Sequence, residues 1–216
     1  MALVTTPLRK GARRQENQQI ILKAAEKVFA EAGFGGATMQ LIADVSGLPK
    51  ANVHYYFQTK EALYRQVVHN IFEVWLDAAS AFDTGSGPAE ALAAYIDAKM
   101  DISRDFSAGS KVWASEVMHN APIIQDYLEG PLIDWTKDRC DRIQTWIDDG
   151  LMRPVDPKHL MYMIWATTQH YADFGHQVET LNANMPLTDA DWAAAKRSVK
   201  DIILGGLGLL PVPLAS

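Results

Sequence analysis

Apolar residues recur along this chain at three- and four-residue steps, and runs of alternating β-branched residues bounded by turn pairs are missing. From Arg14 to Ala32 the stripe Ile20, Ile21, Ala24, Val28 and Phe29 predicts a first helix, closed by Gly33 in a left-handed cap. Thr38 predicts the N-cap of a short second helix carrying Leu41, Ile42 and Val45 before Ser46-Gly47-Leu48. Pro49 suits the first turn of a third helix ending near Phe57, and Thr59 caps a fourth that starts at Lys60 and reaches Phe82. The segment Asp83 to Pro88 reads as a linker. Beyond it the pattern predicts helices over Pro88–Asp105, Ser110–His119, Pro122–Glu129, Pro131–Asp149, Pro157–Leu181 and Thr188–Leu209, with a capping box at Thr188 and Asp191. The fold class is all-α, with about nine helices. The expected domains are a flexible basic arm (1–13), a three-helix helix-turn-helix domain (14–60), and a helical ligand-binding and dimerisation domain (61–216).

Charge sharpens this division. Residues 1–60 hold eight Lys/Arg against four Asp/Glu, whereas residues 61–216 hold twelve against twenty-two, so a +4 piece precedes a −10 remainder. A short basic segment on an acidic chain points to an anionic partner for that segment alone. With 48% apolar and 21% charged residues the chain is neither disordered nor collagen-like. The single cysteine, Cys140, excludes an internal disulfide framework and fits a reducing compartment. No run of 18 apolar residues exists, so no membrane span is expected, and the cytoplasm is the expected location.

The segment TMQLIADVSGLPKANVHYYFQTK, Thr38 to Lys60, has helix-turn-helix spacing: a short helix, a turn bearing Gly47, and a second short helix. Lys50, Asn52, His54, Tyr55 and Tyr56 lie on the outer face of the second helix. That face either solvates a small bundle or meets phosphates and base edges in a major groove. Lys60, opening the next helix, adds charge and a helix-terminal amide. The stretch AxxVFAEAGFGGATMQLIADVSGLPKANVHYYFQTKEALY resembles the DNA-binding domain of the TetR family of bacterial repressors. The resemblance implies a recognition helix over Lys50, Ala51, Asn52, Val53, His54, Tyr55 and Tyr56. It also implies that Thr38 and Gln40 lie near the DNA backbone, and that Tyr56 and Lys60 grip phosphates. Arg9, Lys10, Arg13 and Arg14 form either a DNA-contacting arm or a solubilising tail.

All six tryptophans follow residue 60. In MIWATTQHYADFGHQVE, Trp165, Gln169 and Asp173 recur every four residues on one helical face, bordered by Thr168 and Tyr171. An indole plane, an amide and a hydroxyl in an apolar bundle suit a small flat polar ligand. The runs ISRDFSAGSKVWASEV, NAPII and DPKHLMYMIWATTQHYADFGHQVE resemble the pyrimidine-utilisation branch of the TetR family. This implies a uracil- or thymine-like effector in a pocket reached by Trp75, Ser103, Arg104, Trp165 and Gln169. Arg104 alternatively pairs at the surface with Asp101 or Asp105.

Other signals carry less. His170, Asp173 and His176 span nearly two helical turns and give only a partial metal site, so no metal or other cofactor is expected. Cys140 reads as a buried apolar group, and the glycines of GFGG as a helix terminus. The last two predicted helices, with Met161, Ile164, Ile202, Ile203 and Leu207, suit a homodimeric four-helix bundle or the closing of a monomer core. The expected function is a ligand-responsive repressor with operator DNA and a small molecule as partners, and not an enzyme. The competing reading, an enzyme acting on a pyrimidine-like compound, has only His170 and Asp173 to offer as acid and base.

Overall fold

The computed structural model describes residues 10–83 and 87–209, and every regular element among them is helical. The chain divides into two compact units, Met1–Asn70 and Ile71–Ser216. The boundary falls inside a helix rather than at Lys60, where the domain change was expected.

The first unit contains α1 (Lys10–Gly36), α2 (Met39–Ser46), α3 (Lys50–Tyr56) and the first half of α4 (Lys60–Ala79). Helix α1 begins at Lys10 rather than Arg14, so Arg13 and Arg14 are exposed helical residues; Arg9 and the rest of the expected arm lie outside the described residues. It kinks at Gly33, whose φ of 65° and ψ of 173° form a combination essentially confined to glycine. Thr38 caps α2 as expected, its hydroxyl accepting from the Leu41 N–H at 3.1 Å. Gly47, with φ 68°, supplies the left-handed residue that turns the chain into α3. Ile21, Ala25, Val28, Ile42, Val53 and Leu63 are buried together as the core of this unit.

The second unit comprises the rest of α4, a 3-10 turn (Ser80–Asp83), α5 (Pro88–Asp105), α6 (Ser107–Met118), α7 (Gln125–Tyr127), α8 (Ile133–Asp148), α9 (Pro157–Asp173), α10 (Gly175–Leu181) and α11 (Asp189–Gly206). Residues 84–86 of the expected linker lie outside the described residues. Helices α5 and α9 form the centre, with Leu92, Ile96 and Met100 meeting Leu160, Met161 and Ile164. Ion pairs from Lys196 to Asp101 (2.6 Å) and Lys200 to Asp97 (2.7 Å) fasten α11 to α5.

Among the predicted boundaries that differ, two have a clear local cause. Pro131 was read as a helix start, but α7 passes into α8 through a π-helical turn, Leu128–Leu132, that contains it. Widening the turn accommodates the missing proline N–H without ending the helix. The helix predicted over Pro157–Leu181 breaks at Phe174 (φ −109°, ψ 28°) into α9 and α10, just before the weak helix former Gly175. The expected capping box at Thr188 and Asp191 is present. Met161, Ile164, Ile203 and Leu207, weighed for a contact with a partner chain, lie instead in the protomer core because they face α5 and α8.

Candidate functional site

On α3, Lys50, Ala51, His54 and Tyr55 are exposed, while Asn52 and Tyr56 are half-buried beside the fully buried Val53. A seven-residue helix with one buried anchor leaves most of its surface outward. Tyr55 is 70% exposed and meets Tyr56 edge-on at 5.2 Å, with the Arg14 guanidinium 6.0 Å from the Tyr55 ring. Gln40 is exposed on the first turn of α2 and donates to Asp44 at 2.8 Å. Arg14, Tyr55 and Tyr56 thus form one basic and aromatic patch, and basic and aromatic side chains are chemically suited to a phosphate backbone.

Lys60 departs from the expectation. Its Nζ donates to the carbonyl oxygens of Phe34 (2.6 Å) and Ala37 (2.9 Å) and lies 4.4 Å from the Phe34 ring centre. Helix α1 ends on glycines that bring no capping side chain, so its last carbonyls need a donor, and a cation suits the negative end of the helix dipole. Lys60 thus places its ammonium at the carbonyl end of α1.

In the second unit a cavity of about 330 Å³ is walled by aromatic side chains from α4, α5, α6, α8 and α9. Trp75 and Trp113 lie 5.0 Å apart, Phe72 stacks on Trp113 at 5.9 Å, and Trp135 faces Trp165 at 6.4 Å. The indole N–H of Trp165 donates to the Tyr95 hydroxyl at 2.8 Å, which holds the ring in place. Burial pushes the Tyr95 phenol far above its ordinary range, so it stays a neutral partner. Gln169 contributes an amide to the same wall.

The charged group in this wall is Lys99. It is only 3% exposed, and its Nζ sits 4.2 Å from the Trp75 ring centre. Burial pulls its pKa down to about 7, against the opposing pull of the Asp173 carboxylate. Asp173 ends α9 and accepts from the Ser110 hydroxyl at 2.5 Å; burial raises its pKa, while Ser110 and then Lys99 lower it. The arrangement is an apolar, indole-lined chamber with one lysine and one amide in its wall, and aromatic faces beside a few polar groups are chemically suited to a flat ring with polar edges.

Residues 21–67 match the model for the bacterial regulatory proteins of the tetR family, and residues 68–210 match that for the YcdC-like protein C-terminal region. Over 190 residues, 88% of this chain and 90% of the relative, the sequence is 36% identical to the HTH-type transcriptional regulator RutR of Escherichia coli K12. The chain belongs to the TetR family. It is also 25% identical over 178 residues to the HTH-type transcriptional repressor KstR2 of Mycolicibacterium smegmatis, covering 79% of this chain and 84% of that one. Two solved structures share its fold. The ketosteroid transcriptional regulator KstR2 of Mycobacterium tuberculosis has a TM-score of 0.73 at 20% identity, covering 95% of this chain and 98% of that one. AibR in complex with isovaleryl coenzyme A and operator DNA has a TM-score of 0.67 at 18% identity, covering 89% and 98%.

Within this TetR-family framework the eight residues singled out for ligand binding separate. Trp75, Trp165 and Gln169 line the aromatic chamber. Ser103, Arg104 and Tyr171 instead border a second cleft, of about 300 Å³, with Lys111, His176 and Trp192. Ser103 is buried and donates to the Thr168 carbonyl at 2.7 Å, and Thr168 donates to the Ile164 carbonyl at 2.8 Å. This pair joins α5 to α9. Arg104 is engaged by Asp105 (2.8 Å) and Asp101 (3.3 Å), the surface alternative. Asp173 acts on the chamber through Lys99 rather than lining it.

Lys99, Tyr95, Phe72, Trp113 and Trp135 were missed. A signal existed for two of them: Leu92, Tyr95, Ile96, Lys99, Met100 and Ser103 form one buried stripe of α5, and a lysine on such a stripe is anomalous. The other three sit on four-residue repeats that any core would show. Among the described residues no group of three or more His, Cys, Asp or Glu is placed to hold a metal, and no helix is long and apolar enough to cross a membrane.

Proposed function

We propose that this TetR-family regulator is a cytoplasmic homodimeric repressor that leaves its operator when a pyrimidine base, uracil or thymine in type, occupies the aromatic chamber. The observation that carries the reading is the chamber itself. Its volume, about 330 Å³, lies at the small end of the range for small-molecule sites, and its walls are indoles with a few polar groups. Facing indoles suit a flat ring, and the Gln169 amide offers one donor edge and one acceptor edge, complementary to alternating C=O and N–H groups. The likeness to RutR supports the same branch of the family.

Exposed apolar side chains on the last helices support a self-association face. Met163 is 54% exposed on α9, Phe174 53% at its end, and Ile202 73% on α11. A two-fold molecule would present two α3 helices to two half-sites. An enzyme finds less support: His170 is exposed and stacks on Phe174 at 5.1 Å instead of lining the chamber.

The test is a fluorescence-anisotropy titration on the promoter fragment of the protein's own gene over a range of salt, with and without uracil. Affinity should fall steeply as salt rises and fall again with uracil, because an effector acts only through its different affinities for two states. Salt-insensitive binding would sink the DNA reading, and indifference to uracil and thymine would sink the effector.

A further inference from the structure

A lysine removed from water to this degree is costly to keep, and a methionine would fill the same space without the penalty. Lys99 makes no hydrogen bond with any described residue; it has the face of Trp75 and the field of Asp173. Its N–H donors therefore remain to be used from within the chamber. We propose that Lys99 is the group that reads the effector: its ammonium donates to an acceptor oxygen on the edge of a flat heterocycle, selecting a ring carbonyl over an amino group at that position. This rests on the chamber being the effector site.

The choice of a neutral carbonyl follows from charge. Asp173, which accepts from Ser110 at 2.5 Å, already places one carboxylate field on Lys99. A ligand carboxylate would add a second negative charge to a low-dielectric space, whereas a carbonyl takes the N–H without changing the balance. While Lys99 is protonated, as it is below pH 7, an amino group would set donor against donor and leave both without partners. Trp113, Trp135, Leu128 and Leu132 have no acceptor to offer a misplaced N–H, which leaves the amide oxygen of Gln169 as the acceptor in the rest of the wall. Tyr95, on the preceding turn of α5, has its hydroxyl fixed in place as the acceptor of the Trp165 indole N–H.

Uracil, cytosine and orotate separate these possibilities, since cytosine replaces one carbonyl of uracil by an amino group and orotate adds a carboxylate. Calorimetric titration of the full chain at pH 6, where Lys99 keeps its proton, should give uracil at least about 100-fold over cytosine, as for buried polar sites that lose a partner. Orotate should bind more weakly than uracil. Lys99→Met should bring the uracil and cytosine affinities to within about threefold, chiefly by weakening uracil, since the edge-reading donor is gone. If that variant fails to fold, Lys99→Gln, which keeps a polar group of similar reach, should narrow the ratio in the same direction. Unchanged discrimination in the folded variant would make Lys99 structural and overturn the proposal, and so would tighter binding of orotate than of uracil. Trp165→Ala distinguishes the deeper failure. If it binds uracil as well as the wild type, or if the wild type binds none of the three bases, the effector-site reading falls and this proposal falls with it.

Discussion

Replacing Lys99 by methionine should make the ligand-free protein more stable. The lysine pKa falls from 10.5 to about 7 because burial disfavours the ammonium more than Asp173 favours it. At ~1.4 kcal/mol for each tenfold change, that drop corresponds to about 5 kcal/mol of penalty in the folded state. Methionine removes the penalty, fills similar volume, and forfeits a cation–π contact with Trp75 worth about 1–2 kcal/mol. The net gain near neutral pH is about 3 kcal/mol, a rise of about 10 °C in melting temperature for a unit of this size. Asp173 is not stranded, since it is half-buried and keeps its Ser110 partner. Below pH 7 the advantage holds steady, because folded and unfolded chains both keep the proton and the penalty is whole. Above pH 7 the folded lysine sheds its proton first, the wild type recovers stability, and the advantage of the variant should shrink to about 1 kcal/mol by pH 10. Tryptophan fluorescence melts are the assay, because all six tryptophans lie in the second unit. A variant that melts lower than wild type at pH 7, or one whose advantage is the same at pH 10, would refute the idea that the ammonium is held against its own solvation.

Lys60→Ala should lower the stability of the first unit by about 2–4 kcal/mol through two lost charge-assisted hydrogen bonds, read by circular dichroism, and should leave the salt slope of DNA binding unchanged. Lys50→Ala should do the reverse: stability within about 0.5 kcal/mol of wild type, and a salt slope lower by about one. Ser103→Ala should cost about 1 kcal/mol by removing the bond to the Thr168 carbonyl, with uracil affinity changed by less than about twofold; a large loss of affinity would return Ser103 to the ligand site. Gln169→Ala should abolish the uracil response in the anisotropy assay while operator affinity stays near wild type, and a collapse of ligand-free DNA binding would show that Gln169 is structural.

Elements whose ends are written in local chemistry are legible in the sequence. Thr38, Gly47, Thr188 and Asp191 work through neighbours one to four residues away, and a side chain capping its own helix needs no tertiary information. The break at Phe174 and the continuation through Pro131 are not legible there. Both depend on which backbone strain the surrounding helices tolerate, and a proline reads as a stop unless a π turn absorbs it. Trp165 and Gln169 stand out because four-residue spacing places them on one face. Ser103 and Thr168 are on suitable faces too, yet they face each other, and spacing along a helix says nothing about what stands opposite.

By itself, the sequence determined the all-helical class, the helix-turn-helix with its outward Lys50, His54 and Tyr55, and the placing of positive charge on the DNA-binding end. All of these follow from periodicity, caps and composition, which are properties of neighbours along the chain. Tertiary structure alone decided what each polar group is for. Lys60 and Lys99 are the same residue type, but one meets the end of α1 and the other the face of Trp75. A charge acts through its distances and its access to water, and those are set only when distant helices come together.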